Sequence, residues 1–463
     1  MARANLEQEV LEELRRRKVG SLVLQFTDLL GVNKAVELPA SRFERALAGQ
    51  IAFDGSALEG FARTEEADAL LVPDLTTFRV FAWGTGAPPG GEAGGDPVGR
   101  LICDIRYPDG RPFEGCPRTA LKRQIDLAAK AGFVMRVGSE VEFFIFDGAD
   151  DAGVSTRTAD RGSYFDLQPL ERGEQVRRAI AKVLEDMDLD PESLHHEVAP
   201  GQHEIDLAPA DALTAADRLA TLRTVVRSMA LRHSMLATFM PKPLFARSGS
   251  GLHTHQTLLA EGKNAFDDRS APLHLSQVAR WYVGGLLHHA RGYCAVTNPL
   301  VNSYKRLVAG FEAPVNVSWS TQNVSPLVRI PAERGDGARC ENRLPDPAAN
   351  PYLAIATQLA AGLTGIKEQI DPGDPVNKNI ARMSYRERRK YRIDDLPRDL
   401  HEALDYLEKD RVVRDALGEH IYERYIDAKR GEWEEYIERV SPWEVERYMY
   451  SSHSPRLASM YRS

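Results

Sequence analysis

The chain has 463 residues and a formal net charge of −8, with 59 Lys and Arg residues against 67 Asp and Glu residues. This charge argues against a nucleic-acid-binding protein, because such a protein presents a basic face to the phosphates. With 43% hydrophobic and 27% charged residues, the composition is that of a folded globular protein, and the length favours at least two domains. No apolar run approaches the roughly 18 residues of a membrane helix, and residues 1–20 lack the apolar core of a signal peptide. We therefore expect a cytoplasmic protein with neither a membrane nor a nucleic acid as its partner.

The four cysteines, Cys103, Cys116, Cys294 and Cys340, are scattered and form no Cys-x-x-Cys pair. This distribution argues against a disulfide framework and against a thiolate zinc site. It fits a protein of a reducing compartment.

Hydrophobic periodicity predicts a mixture of helices and strands along the whole chain. The predicted helices cover residues 6–19, 117–131, 351–367, 400–408, 412–418 and 419–440. The predicted strands of the N-terminal part cover residues 21–28, 34–38 and 101–105. Residues 83–100 contain so many Gly and Pro residues that we expect a surface loop, and a second Pro and Gly cluster lies at 107–116. The sequence predicts a small mixed domain over residues 1–110 and a large α+β domain over residues 111–463.

A candidate core strand at residues 138–146 carries two acidic side chains, Glu140 and Glu142. Residues i and i+2 of a strand face the same side, so the two carboxylates point together. Neighbouring carboxylates on a buried strand repel each other and lose hydration unless a cation or a proton neutralises them. An edge strand with a solvated acidic face is the alternative interpretation.

The same spacing of two recurs in two other strand-like segments. His253 and His255 share one face of the first, and Arg339, Glu341 and Arg343 share one face of the second. Each pattern taken alone is compatible with an ordinary surface strand. Their joint occurrence favours one site to which several strands contribute.

A fourth segment, residues 195–205, adds Glu197 before a Pro-Gly turn and Glu204 after it. Five carboxylates and imidazole without any thiolate suit Mg²⁺ or Mn²⁺ better than structural zinc. Iron also binds carboxylate and His, but di-iron sites usually take Glu-x-x-His pairs from helices. Arg306 and Arg329 add cations that match anionic substrates, and the chain has no P-loop motif.

Nine motifs resemble those of class I glutamine synthetases and follow that family's order. They occupy residues 53–56, 138–146, 195–205, 239–243, 249–255, 302–306, 311–314, 329–331 and 345–353. The resemblance implies an N-terminal β-grasp domain and a C-terminal catalytic domain with a curved antiparallel sheet and helices. It also implies a dodecamer of two hexameric rings, with each active site between neighbouring subunits. The implied reaction is ATP-dependent ligation of ammonia to the γ-carboxylate of L-glutamate through γ-glutamyl phosphate.

The resemblance also assigns roles to individual residues. It places Glu142, Glu197 and Glu204 on one metal ion and Glu140, His253 and Glu341 on a second. It implies catalytic roles for Asp54, Tyr164, His255, Arg306 and Glu312. It implies glutamate binding by Gly249, Arg306, Glu312 and Arg343, and nucleotide binding by His255, Thr257, Arg329 and Arg339. Asp54 would come from the neighbouring subunit, and Glu312 would lie on a closing flap.

Several positions depart from the family pattern. Ala57 replaces a serine beside Asp54, and Val324 replaces an arginine expected near the reacting phosphates. Ser248 replaces an asparagine before Gly249, and Pro209 stands where an aromatic residue often stacks near adenine. Two alternatives therefore stay open. The first is a γ-glutamyl-amide ligase for an organic amine such as methylamine, ethanolamine or a polyamine, and the second is a weakly active or non-catalytic nitrogen-sensing homologue.

Overall fold

The fold is taken from a computed structural model that describes residues 2–56, 68–81, 96–148, 155–158, 160–167, 172–323 and 325–449. Helices and strands are interleaved along these residues, which confirms the predicted α+β class. None of the described helices has both the length and the apolar character needed to cross a membrane.

Two sheets contain nearly all of the described strands. The strands are β1 Ser21–Thr27, β2 Asn33–Pro39, β3 Ile51–Asp54, β4 Asp68–Phe81, β5 Val98–Arg106, β6 Val134–Asp147, β7 Pro191–His196, β8 Gln202–Asp211, β9 Met235–Thr238, β10 Leu252–Ala260, β11 Lys263–Asn264, β12 Asn316–Val317, β13 Trp319–Ser320, β14 Val328–Arg329, β15 Cys340–Asn342 and β16 Asp394–Asp395. β12 and β16 form a separate pair. The other strands divide between an N-terminal and a central sheet.

The described helices cover the sheets and build the C-terminal part. They are α1 Ala2–Arg16, α2 Phe43–Leu47, α3 Pro117–Lys130, α4 Arg172–Asp186, α5 Ala212–Arg232, α6 Gln277–His288, α7 Ala290–Thr297, α8 Ser303–Arg306, α9 Pro351–Glu368, α10 Tyr385–Lys390, α11 Leu400–Lys409, α12 Arg411–Leu417, α13 Glu419–Ile437 and α14 Pro442–Tyr448. All six predicted helices have a counterpart among them. The longest prediction, residues 419–440, extends too far, because α13 ends at Ile437 and α14 begins at Pro442, a residue favoured in the first turn of a helix.

The N-terminal sheet has the strand order β2-β1-β5-β4-β3. β1 and β5 run parallel in its centre, and the alternating side chains of β1 bury Leu22 and Leu24 in a core of their own. The predicted loop over residues 83–100 is wrong at its C-terminal end. Val98 already belongs to β5, because it pairs with Ser21 and its side chain is buried. Residues 82–95 lie outside the described part of the chain.

The central sheet has nine strands in the order β13-β14-β15-β10-β6-β8-β7, with β11 beside β10 and β9 beside β6. The predicted antiparallel arrangement holds for its other described pairs, but β13 and β14 run parallel. β6 lies between β10 and β8, so the alternative of an edge strand with a solvated acidic face is wrong. Helix α5 packs behind this sheet, and its N-cap residue Asp211 accepts hydrogen bonds from the backbone of the first turn.

Buried polar contacts join the N-terminal sheet to the central part. The Arg118 guanidinium of α3 donates to Asp74 of β4, Asp104 of β5 and Asp217 of α5 at 2.7 to 3.0 Å. Asn350, the N-cap of α9, donates to the carbonyl oxygen of Asp28 at 2.9 Å. These contacts fix the N-terminal sheet against the helices that support the central one.

Candidate active site

Strand register brings acidic and imidazole side chains from distant parts of the sequence into adjacent rows. On the central sheet, Glu140 of β6 lies opposite His253 of β10. Glu142 of β6 lies opposite Glu204 of β8, on the other side of the same strand. His255 of β10 lies opposite Glu341 of β15. The spacing of two within each strand and the pairing between strands together produce one acidic patch.

The first group of candidate ligands is Glu140, His255 and Glu341, whose ligand atoms all lie within 4.8 Å of one another. Glu140 accepts hydrogen bonds from His255 Nε2 at 2.7 Å and from His253 Nδ1 at 2.8 Å. Burial raises the pKa of Glu140, but the two imidazole contacts outweigh burial and hold this pKa well below its usual range. On the other side of the His255 ring, Nδ1 accepts from Arg339 Nε at 3.1 Å. Glu140 is therefore an ionised carboxylate at neutral pH.

The second group is His195, Glu197 and Glu204, whose ligand atoms also lie within 4.8 Å of one another. Glu197 Oε1 lies 3.1 Å from His195 Nε2, and Glu204 Oε1 lies 3.6 Å from it. Burial raises the pKa of Glu204 well above its usual range, and repulsion from Glu142 adds to this effect. Repulsion between neighbouring carboxylates is expected of a site that takes up a cation.

These two groups differ from the predicted ligand sets by one member each. The first group contains His255 instead of the predicted His253. The second group contains His195 instead of the predicted Glu142. Glu142 and His253 lie between the groups, with Glu142 Oε1 3.8 Å from His253 Nε2. All six predicted metal ligands line the same region, and their assignment to individual ions stays a prediction.

The predicted arginines surround this patch. Glu341 is fully buried and accepts from Arg329 at 2.8 Å and from Arg343. Burial raises the pKa of Glu341, but the charges of Arg343, His253 and His255 together outweigh burial and leave the pKa lowered. Arg306 is buried and donates to the carbonyl oxygens of Leu344 and Arg343 at 2.9 and 3.1 Å. These bonds fix the direction of its guanidinium.

The acidic patch separates two cavities. The first, of about 520 Å³, contains the predicted glutamate-binding side chains and the flap residue. The second, of about 630 Å³, contains the predicted nucleotide contacts His255, Thr257 and Arg339. Arg329 lines the first cavity, where it donates to Glu341, and its predicted nucleotide contact stays a prediction. Glu140, Ser193 and Asp206 line both cavities. Two substrates bound in the two cavities therefore meet at the carboxylates.

Two glycines are required where the chain passes the acidic patch. A Cβ atom on Gly251 would lie 2.7 Å from Arg306 Nη2 and 2.8 Å from His253 Nε2. A Cβ atom on Gly249 would lie 2.4 Å from the carbonyl oxygen of Pro241. Gly249 lines the first cavity, as predicted for a glutamate-binding residue. Any larger residue at either position would displace the site.

A segment that contains Glu312 lies over the first cavity. Glu312 has a φ of 61°, a left-handed conformation that costs free energy for a residue other than glycine and that clusters at functional sites. Its neighbour Phe311 packs under the Lys242 ammonium, which lies 3.8 Å from the ring centre. This cation–π contact holds the segment in the position that directs Glu312 to the cavity.

Tyr164 and Phe165 form the aromatic wall of the first cavity. Their ring centres are 4.0 Å apart, and both pack against the His195 ring. Burial raises the pKa of Tyr164 to about 12, and Glu197 adds to the shift, so Tyr164 is a neutral hydroxyl at pH 7. Phe165 and His195 were not predicted as site residues, although Phe165 follows Tyr164 and His195 begins the motif at residues 195–205.

Asp54 is separated from the cavities within this chain. It ends β3, at the edge of the N-terminal sheet, and it is absent from the described residues that line either cavity. Its carboxylate is exposed. Hydrogen bonds from Ser56 lower its pKa, so it is charged at neutral pH. Ala57 and Val324, the two departures nearest to the chemistry, lie outside the described residues.

The donor set fits hard divalent cations. Carboxylate oxygens dominate both groups, imidazole completes each, and none of the described ligand atoms is a thiolate. The raised pKa of Glu204 provides a second sign of the fit, because a cation would relieve the repulsion between Glu204 and Glu142.

We expect Mg²⁺ or Mn²⁺ to raise the thermal unfolding midpoint of the metal-free protein. A ligand that binds only the folded state adds about 2.7 kcal/mol of stability when its free concentration is roughly 100 times its Kd. The measurement is a melting curve in EDTA followed by titration with each metal chloride, with KCl at matched ionic strength as the control. A shift that KCl reproduces would reject specific binding.

Comparisons with known proteins cover almost the whole chain. The family described as glutamine synthetase, catalytic domain, matches residues 114–448, and the family described as glutamine synthetase, beta-grasp domain, matches residues 18–108. A glutamine synthetase from Thermus thermophilus is 52% identical over 95% of this chain and 98% of the relative. One from Methanosarcina mazei is 49% identical over 97% of this chain and 99% of the relative.

Among solved structures, GmaS in complex with ADP has a TM-score of 0.84 and 35% identity to this chain. The alignment covers 95% of this chain and 99% of GmaS. GmaS without ligand has a TM-score of 0.83 at the same identity and coverage. With both domain families matched and relatives near half identical over nearly the full length, the chain belongs to the glutamine synthetase family.

Proposed function

We propose that this protein ligates ammonia to the γ-carboxylate of L-glutamate at the expense of ATP, forming glutamine. The observation that carries the proposal is the acidic patch between two cavities, with cationic side chains in both. One cavity offers a site for an amino acid and the other a site for a nucleotide, so the two substrates would approach the carboxylates from opposite sides. The ADP bound to GmaS and the names of the near relatives support this assignment.

Within this proposal, the carboxylates and imidazoles hold two or more Mg²⁺ or Mn²⁺ ions. The ligand sets are Glu142, Glu197 and Glu204 for one ion and Glu140, His253 and Glu341 for another, with His195 and His255 as the further candidates that lie closest. When bound, such ions neutralise phosphate charge and polarise the transferred phosphoryl group.

The chain's own cations orient the anionic groups of the substrates. Arg306 and Arg343 lie in the first cavity and bind the carboxylates of glutamate, while Gly249 leaves room for its amino group. Arg339, His255 and Thr257 lie in the second cavity and contact the nucleotide. Fixed donors of this kind stabilise the charge that develops as the γ-carboxylate attacks the γ-phosphate and γ-glutamyl phosphate forms.

The amine site requires acceptors that bind ammonium and remove its proton. Glu312 reaches the first cavity from the overlying segment, and Tyr164 with Glu197 forms the wall. Asp54 would complete the site from a neighbouring subunit, because its exposed carboxylate lies away from both cavities of its own chain. The proposed assembly is a homo-oligomer, a dodecamer of two hexameric rings.

The decisive experiment measures phosphate release from ATP with glutamate, screened against ammonium and a panel of primary amines. We expect ammonium to support the fastest turnover and metal to be required. The six predicted ligands disfavour a non-catalytic role, since a protein without chemistry has no use for a buried cluster of carboxylates in which Glu142 and Glu204 repel each other. Turnover confined to organic amines would transfer the assignment to the γ-glutamyl-amide ligase alternative that Ala57 keeps open. Absence of phosphate release with every amine would reject both ligase assignments.

A further inference from the structure

A third cavity lies between the two sheets, on the side where β4 and β5 face helix α5. Its volume is about 270 Å³, several times the roughly 30 Å³ that one water molecule occupies. We name it the interdomain cavity. Its charged lining residues are Arg79, Arg100, Arg118, Arg218, Asp74, Asp188 and Asp217. Four cations and three anions line it, and two of the cations, Arg118 and Arg218, also pair with Asp104 and Asp190 outside the lining.

Arg100 of β5 distinguishes this cavity from an ordinary hydrated gap. Its residue is 3% exposed, its Nε has no hydrogen-bond partner, and its guanidinium donates no hydrogen bond to any described residue. A buried donor without a partner costs free energy, so the Nε–H of Arg100 is a site that a ligand oxygen could satisfy. Burial lowers the pKa of Arg100 to about 10, so the group still carries its charge at neutral pH.

The other charged side chains of the cavity are already engaged. Arg118 shares its donors among three aspartates at 2.7 to 3.0 Å. Arg79 donates to the carbonyl oxygens of Met187 and Phe78 at 2.7 and 2.6 Å. Arg218 forms a weak ion pair with Asp190 at 3.7 Å. Asp217 attracts the Arg100 charge, but its oxygens already accept hydrogen bonds from Arg118 and Tyr352.

We infer that the interdomain cavity binds a small oxyanion of the phosphate or short dicarboxylate class, with the unpaired Arg100 guanidinium as its principal contact. A planar guanidinium matches two oxygens of such an anion at once. Arg218 lies beside it and can turn its exposed end toward the ligand. The N-terminal turn of α5 contributes its positive end, although Asp211 already caps its first amides. The anion would join the N-terminal sheet to α5.

The test follows the unfolding midpoint of the full-length protein in chloride buffer, with phosphate and succinate titrated in separate arms. For the wild type we expect the midpoint to rise with the anion that fits, and the arms identify which class that is. In Arg100→Met the response should disappear or move to concentrations at least about tenfold higher. In chloride alone, Arg100→Met should melt close to the wild type, because the loss of the attraction to Asp217 is offset by removal of a buried charge whose Nε has no partner.

Arg223→Met is the matched control, because Arg223 is a buried arginine that donates to the carbonyl oxygen of Ala349. This variant should melt lower and keep the anion response. If Arg100→Met does not fold, Arg218→Met must weaken the response in the same direction. Equal anion responses of the wild type and Arg100→Met would overturn the inference, since any phosphate effect would then arise elsewhere, as in the nucleotide cavity. Absence of a response in the wild type would overturn it as well.

Discussion

Glu341→Gln is expected to abolish phosphate release from ATP and to lower the free energy of unfolding by about 3 to 5 kcal/mol. Glu341 is fully buried, accepts from Arg329 at 2.8 Å and also accepts from Arg343. The amide has the same shape, but it leaves the two guanidiniums without their buried counter-charge. The measurements are phosphate release with glutamate and ammonium, and denaturation of the metal-free protein.

Glu204→Gln is the matched control for that prediction, because the same chemical change should have the opposite effect on stability. Burial and the neighbouring Glu142 raise the pKa of Glu204, so its charge destabilises the metal-free fold. The amide removes this repulsion. We expect this variant to be inactive and to melt higher without metal, but to lose the stabilisation by Mg²⁺. Turnover by Glu341→Gln, or equal losses of stability in both variants, would contradict the assignment of charges to the acidic patch.

The second large effect is the recovery of activity from two inactive proteins. Asp54→Ala and Glu341→Ala subunits should each be inactive alone. If Asp54 serves the cavity of a neighbouring subunit, mixed rings contain junctions where an intact Asp54 faces an intact Glu341. Random mixing of equal amounts makes about a quarter of such junctions intact, by simple probability applied to a symmetric ring. Phosphate release should rise accordingly after the subunits are dissociated and reassembled together.

Two controls decide that experiment. Each variant taken alone through the same reassembly must stay inactive, and differently tagged subunits must co-purify to prove exchange. Mixed rings that contain both subunits and remain inactive would mean that Asp54 acts elsewhere. The exposed position of Asp54 at the end of β3 would then require another explanation.

The sequence predicted the acidic patch because strand geometry is local. A spacing of two puts Glu140 and Glu142 on one face whatever surrounds the strand. Because β6 lies between β10 and β8, that face lies beside His253 and Glu204. The α+β class and the β-grasp and catalytic folds were likewise predicted, the latter from motif resemblance, and the family matches confirm them. The domain boundary at residues 110 and 111 and the roles of individual site residues stay predictions.

Contacts between distant segments could not be read from spacing. The pairing of Glu142 with Glu204 depends on the register of β6 against β8, which tertiary packing sets. The exchange of His253 for His255 in one ligand group has the same origin, since register places His253 opposite Glu140 and His255 opposite Glu341, while both imidazoles bond to Glu140. Arg100 shows the limit most clearly. Nothing in the segment around it indicates that its guanidinium would be buried without a partner.

The four cysteines have a practical consequence for observing the segment that contains Glu312. All four are buried, and burial raises the pKa of the Cys103, Cys294 and Cys340 thiols. Reactive thiolate is therefore scarce in the folded protein. Val308 lies just before Glu312 and is exposed, so a thiol introduced by Val308→Cys would take up a maleimide fluorophore without removal of the native thiols. Such a label would show, in real time, whether this segment closes as predicted when glutamate or nucleotide is added.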